Sequence, residues 1–173
     1  MQILVRPGDL TQEATDALVN AANSGLRGGG GVDGAIHRAG GPDILAACQQ
    51  LRETTLPDGL PAGHAVATTA GRLSARWVIH TVGPVHSSRE DRSAILASCY
   101  RESLRVAVEI GARSLAFPAI SAGVFGWPMN DAARIAVQTV QETADEVAGQ
   151  IDTVVFVPFG DEAEQAFRRW TRE

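Results

Sequence analysis

The stretch DALVNAANSGLRGGGGVDGAIHRAGG, Asp16–Gly41, decides how the rest of the chain is read. It begins as a short apolar run of strand type and ends as a helical pattern. Between them stand four consecutive glycines, Gly28, Gly29, Gly30 and Gly31. Glycine loses more backbone entropy on folding than any other residue and brings no side chain to a core. Such a run is either a slack linker or a place where backbone must pass very close to something else.

Working outward, strand-like and helix-like runs alternate. QILVR, DALVNAA, HAVATTA, RWVIHTV, SLAFPAI and TVVFVPF read as strands. PDILAACQQLRET, EDRSAILASCYRESLRVAVEIGA, PMNDAARIAVQTVQETADEVAG and DEAEQAFRRWTRE read as helices. In the second helix Ile95, Cys99 and Leu104 mark the inward face, Ser88 and Asp91 a capping pair, and Gly111 the stop. Pro42 and Pro128 suit helix first turns. The alternation, with several strands apolar throughout, predicts one sheet covered by helices on both faces, a three-layer α/β domain spanning residues 1–173.

In such sheets ligands sit beyond the carboxyl ends of the strands. Two strand-to-helix loops there carry glycine: the run after DALVNAA, and SAGVFGWP after SLAFPAI. Paired glycine loops let backbone N–H groups turn toward an anion, and each following helix adds partial positive charge. Neither loop ends in Gly-Lys-Ser/Thr, so the phosphate loop of nucleotide triphosphatases is absent. Gly29, Gly31 and Gly34 satisfy the letters of the dinucleotide fingerprint, with Glu53 downstream. The context is wrong: six residues separate strand from Gly29, and GGP interrupts the helix that follows.

The bulk numbers agree with a soluble globular chain. At 173 residues it is long enough to bury roughly 70% of its unfolded surface. No apolar run approaches the ~20 residues of a membrane span, and MQILV enters a strand without a leader, so a cytoplasmic protein is expected. Cys48 and Cys99 read as buried small hydrophobes. His37, His64, His80 and His86 show no ligand spacing, so neither a metal nor another cofactor is expected. His37 and His80 read as structural, since neither is placed at a strand's carboxyl end, and Trp77 and Trp170 as packing residues. All fifteen basic residues are arginine, yet the net charge is −5, which disfavours a broad nucleic-acid-binding face.

GDLTQEATDALVNAANSGLRGGGGVDGAIHRAGG, followed in order by PAGHAVATTAGRL, RWVIHTVGP and LAFPAISAGVFGWP, resembles the macrodomain family, and within it the MacroD-type ADP-ribosyl hydrolases. The resemblance covers nearly the whole chain. It implies a macrodomain fold, three-layer α/β/α with a central mixed sheet, that binds ADP-ribose as a monomer. Carried onto this sequence, it implies that Asp9 accepts from the adenine amine, that Leu10 backbone holds the ring edge and that Phe159 stacks on the ring. Ala22, Gly28, Gly29, Gly30, Gly31 and Val32 would line one side of the ligand. Ser121, Ala122, Gly123, Val124, Phe125 and Gly126 would line the other, with Phe125 against the distal ribose. Asn23 and Asp33 match the pair that the family sets beside the anomeric carbon.

The activity so implied is removal of ADP-ribose from modified glutamate or aspartate side chains of proteins, with deacetylation of O-acetyl-ADP-ribose as a second activity of the same site. Asp33 would orient or deprotonate water, alone or with a ligand phosphate, a service worth ~10²–10⁴-fold. Asn23 would hold the ribose hydroxyls. Asp33 also stands where a helix N-cap would, and Asn23 where a turn residue would. Two other readings remain open: a non-catalytic ADP-ribose reader, and a hydrolase of ADP-ribosylated nucleic acid served by Arg27 and Arg38.

Overall fold

The computed structural model describes residues 1–172; the Glu173 end of the last helical pattern lies outside them. The strands are β1 (Gln2–Val5), β2 (Ala17–Ala21), β3 (Ala65–Thr69), β4 (Trp77–Thr81), β5 (Ser114–Phe117) and β6 (Thr153–Phe156). The helices are α1 (Gly31–Gly40), α2 (Pro42–Glu53), α3 (Ser93–Ile110), α4 (Met129–Thr143) and α5 (Asp161–Thr171). A 3₁₀ turn covers Leu10–Gln12.

The six strands form one mixed sheet in the order β1-β6-β5-β2-β4-β3. All neighbours are parallel except the β3–β4 pair, which is antiparallel. Helices α3, α4 and α5 cover one face, packing on Val19, Ile79, Phe117 and Phe156. Helices α1 and α2 cover the other, packing on Leu18, Val78, Ala116 and Val155. Both faces are therefore buried, which is why β2, β5 and β6 are apolar on successive residues rather than on alternate ones.

The chain leaves β2 toward one edge of the sheet and leaves β5 toward the other, so the connections part between these two neighbours. That parting is the switch point at which a doubly wound sheet opens a crevice. Because β1, β2, β4, β5 and β6 all run parallel, the loops that follow them meet along one edge.

Several local expectations need correction. Helix α1 starts at Gly31 with Gly30 as its cap, so Asp33 lies inside the first turn and is not the N-cap. Pro128 is the residue before α4, whereas Pro42 opens α2 as expected. In α3, Ile95 is exposed and Leu96 faces the core with Cys99, Tyr100 and Leu104. Ala94–Ala97 is apolar throughout, so the sequence left the helix phase ambiguous by one residue. Asp91 accepts from Ser93 N–H at 2.9 Å, but Arg92 holds the cap position of α3 without a side-chain bond and Ser88 takes no part; Ser87 accepts from Arg89 and Glu90 N–H instead. Gly111 does end α3 in the left-handed conformation. Cys48 and Cys99 are buried free thiols. Trp77 and Trp170 pack against the α3–α5 core. No described helix is long and apolar enough to cross a membrane.

Candidate active site

The glycine run is no slack linker. Leu26 turns its side chain into the core with φ +54°, and Leu26 N–H donates to Asn23 C=O at 3.1 Å. Arg52 Nη1 donates to Gly25 C=O at 3.1 Å, tying the loop to α2. Asn23 closes a ring of its own: Nδ2 donates to Gly28 C=O at 2.7 Å, and Oδ1 accepts from Arg27 N–H at 3.2 Å. A side chain thus fixes a stretch that glycine would otherwise leave loose.

The glycines fall into two sorts. Gly34 is required by packing, because a Cβ there would lie 2.4 Å from Gly29 C=O. At Gly30, and at Gly123 in the other loop, a Cβ would meet only open space. Nothing inside the protein explains those two, whereas backbone that must lie against a ligand would.

Helices α1, α4 and α5 all begin along this edge without a side-chain cap. Their first N–H groups are therefore free to meet an anion, and the helix dipoles favour one.

The loop after β5 is held differently. Ser121 adopts φ +66°, unusual for a residue with a side chain, and its Oγ donates to Pro84 C=O at 2.7 Å. His86 N–H donates to Phe125 C=O at 2.8 Å, a second latch between the loops after β4 and β5. Gly83 makes room, since a Cβ there would stand 2.3 Å from Ser121 Oγ. Ala122 and Phe125 are half-buried, Gly123 and Gly126 exposed, and Val124 is 100% exposed at the rim.

At the far end, Gly8 N–H donates to Pro158 C=O at 3.2 Å, which brings the segments holding Asp9 and Phe159 side by side. Asp9 caps the 3₁₀ turn: one carboxylate oxygen accepts from Thr11 N–H at 2.9 Å and from Thr11 Oγ1–H at 2.7 Å. Leu10 is buried under α1 and α2. Phe159, three residues past β6, is 89% exposed.

Asp33 sits at the heart of the arrangement and is buried. Its Oδ1 accepts from Asn20 Nδ2 at 2.8 Å, and His37 Nε2, one helical turn on, lies 3.3 Å from the same oxygen. Its Oδ2 points elsewhere. A Cβ on Gly29 would lie 3.4 Å from Asp33 Oδ2 and 3.7 Å from Asn23 Nδ2, so both side chains gather under this glycine. Ala22 is buried and Val32 half-buried beside them.

Asn20 is held from behind. It pairs with His80 across β2 and β4, and its Nδ2 lies 3.1 Å from His80 Nδ1. The Thr68 hydroxyl proton goes to Thr69 C=O at 3.0 Å, so Thr68 Oγ1 accepts from His80 Nε2–H at 2.8 Å. That leaves His80 Nδ1 as acceptor for one Asn20 amide proton, while the other goes to Asp33. Burial, with the nearby His37 next in importance, pushes the His80 pKa down to about 3, keeping the ring neutral. Burial also pushes the Cys48 thiol up to about 11, with the Asp33 charge adding. Asn20 Oδ1 is buried without a hydrogen-bond partner, at a cost of about 1–3 kcal/mol. The strand spends that stability to aim an amide at a carboxylate.

Two sequence expectations change here. His80 stands one residue before the end of β4, under the site, and His37 touches Asp33. Asn20 was missed altogether. Its signal was faint but present: Asn20 and His80 each put a polar group into an otherwise apolar buried strand, and buried polar groups find partners.

Comparison with known proteins decides the family. The model of the family described as Macro domain matches residues 19–136, which include the end of β2, the glycine run, the loop after β5 and the start of α4. The chain belongs to the macrodomain family. A Streptomyces griseus relative named "Macro domain-containing protein in non 5'region" is 66% identical, over 88% of this chain and 86% of its own length. An Escherichia fergusonii relative named O-acetyl-ADP-ribose deacetylase is 49% identical, over 97% of this chain and 94% of its own. Among solved structures, the Oceanobacillus iheyensis macrodomain with ADP superposes with a TM-score of 0.91 at 40% identity, covering 96% of this chain and 87% of that one. The three-layer α/β/α architecture and mixed sheet expected of a macrodomain are those observed.

Proposed function

We propose that this macrodomain binds ADP-ribose along the edge between the loops after β2 and β5 and hydrolyses it from ester-linked carriers: modified glutamate or aspartate side chains and O-acetyl-ADP-ribose. A relative 49% identical bears the deacetylase name, and a similar solved macrodomain holds ADP. The diphosphate would lie between Gly28–Gly31 and Ser121–Gly126, met by backbone N–H groups and the start of α1. Adenine would stack on Phe159 with its amine toward Asp9, and Phe125 would back the distal ribose.

The observation that carries the catalytic half is the division of labour at Asp33. One oxygen is held by Asn20 with His37 Nε2 3.3 Å away, and the other has no hydrogen-bond partner among the described residues and lies on the Gly29 side of the loop. For a modified glutamate or aspartate, a water on that free oxygen would be deprotonated as its oxygen bonds to the anomeric carbon, while the bond from that carbon to the target oxygen breaks and its electron pair leaves on the carboxylate. For O-acetyl-ADP-ribose the same water would instead add to the acetyl carbonyl, and the acyl–oxygen bond breaks to give acetate and a ribose hydroxyl that takes up the proton. General-base help of this kind is worth ~10²–10⁴-fold, and a fixed sugar adds to it. A pure reader has no use for a carboxylate buried and oriented at such expense.

The test is direct. The protein is incubated separately with ADP-ribosylated glutamate, serine, arginine and nucleic-acid substrates and with O-acetyl-ADP-ribose, and the ADP-ribose released is measured. The reading expects turnover of the two carboxylate esters and little of the rest. Binding without release from any of them would leave a reader.

A further inference from the structure

The site accounts for one side of the glycine loop. On its α1–α2 side lies a hollow of about 540 Å³, walled by Arg27, Arg38 and Arg72 with Gly28, His37 and Leu45. Its lining contains no carboxylate. The Arg38 Nη1 lies 2.9 Å from where a Gly34 Cβ would be, and Arg72 Cζ lies 3.2 Å from the corresponding point on Gly41, so both guanidinium groups rest on bare backbone. Of the other twelve arginines, six (Arg6, Arg92, Arg105, Arg113, Arg134 and Arg168) meet an acidic side chain within 4 Å. None of the three around the hollow does so among the described residues.

Three uncompensated arginines at one hollow, in a chain of net charge −5, are an anion site by construction. The diphosphate does not need them, since the cleft offers uncapped helix starts and glycine amides. What they can meet is whatever the ADP-ribose is attached to, because Gly28 and Gly29 border the hollow and also the Asn23–Asp33 pair. We infer that the arginine hollow is a target-side subsite that takes acidic side chains flanking the modified residue of a protein substrate. This rests on the carboxylate-ester reading and narrows it to modified sites in acidic sequence. A nucleic-acid strand fits less well. The hollow has no phenylalanine, tyrosine or tryptophan on which a base would stack, and three cations are few against the chain's overall negative field.

The test uses two synthetic peptides that carry one ADP-ribosylated glutamate, flanked by Glu/Asp in one and by Gln/Asn in the other. Both are assayed with the native protein and with R38Q/R72Q, beside O-acetyl-ADP-ribose and an ADP-ribosylated oligonucleotide. Arg38 and Arg72 are exposed, so folding should be unaffected, and O-acetyl-ADP-ribose turnover should stay at the native rate. The native protein should favour the acidic peptide by about five- to tenfold in kcat/KM at low salt, the worth of two or three exposed ion pairs. That ratio should fall toward one in R38Q/R72Q and in high salt. Equal native rates on the two peptides, or a ratio that survives the substitutions, would overturn the subsite. So would a variant that loses only oligonucleotide turnover, which would assign the arginines to nucleic acid. If neither peptide is cleaved while O-acetyl-ADP-ribose is, the protein-carboxylate reading itself falls and takes the subsite with it.

Discussion

On the α3–α5 face the sheet presents Phe117 and Phe156, their rings stacked at 5.9 Å, with Tyr100 5.0 Å from Phe117 and Phe167 5.1 Å from Phe156. On the α1–α2 face β2, β4 and β3 present Asn20, His80 and Thr68, bonded in a line that ends on Asp33. One face is an aromatic core in which the Tyr100 hydroxyl bonds to backbone at Ile120 and Pro118, and where Ser103 of α3 buries a hydroxyl without a partner. The other carries a buried polar chain that includes an amide oxygen without a partner. Dispersion and burial make the first face a reservoir of stability. The second gives up some of that stability to hold a carboxylate in one orientation, as expected where a protein prepares a site.

The comparison can be broken at its stable side first. Phe156→Ala removes a fully buried ring that touches other rings on both sides, and should cost about 3–5 kcal/mol in chemical denaturation. Below the denaturation midpoint its turnover should remain native. A loss of activity without a loss of stability would mean that the two faces are not separate in function.

The polar face should betray itself through pH. His80 has its pKa lowered to about 3 in the fold against 6.5 in the unfolded chain. In that window the unfolded chain binds a proton that the folded protein does not, so stability is full above pH 6.5 and is lost as pH falls. The His80 contribution is about 1.4 kcal/mol per pH unit. Denaturation midpoints measured from pH 7 down to pH 4 should therefore fall less steeply for His80→Gln than for the native protein. Parallel curves would contradict a neutral, buried His80.

The smallest expected effect concerns the rim. Phe159→Ala removes a stacking face and nothing from the core, so ADP-ribose affinity by calorimetry should weaken by about 1–3 kcal/mol with melting unchanged. An unaltered affinity would place the adenine elsewhere.

The contrast between the faces also explains what the sequence could tell. Strands whose residues are apolar on both faces announced a covered parallel sheet, and glycine loops after two of them announced a ligand edge. Motif and chain order place Asp9, Asn23, Phe125 and Phe159 on loops at that edge, and the structure puts them there, with Asp33 in the first turn of α1. Asn20 was not, since it sits mid-strand and its role depends on a cross-strand register with His80 that no local pattern encodes. His37 was legible one helical turn after Asp33, and the pair does come within 3.3 Å; what the sequence does not give is that α1 starts at Gly31, which puts Asp33 inside the first turn rather than at its cap.

The central claim is that ligand binding and turnover rest on different atoms: backbone amides and the adenine site for the first, the free oxygen of Asp33 for the second. Asp33→Ala tests it in one variant, by titration with ADP-ribose in a calorimeter and by release of ADP-ribose from a carboxylate ester. The account predicts binding within a few-fold of native and turnover lower by about 10²-fold or more. A folded Asp33→Ala protein that hydrolyses the ester at the native rate would contradict it. So would one that loses binding and activity together, since Asp33 would then be holding the loop in shape rather than acting on water.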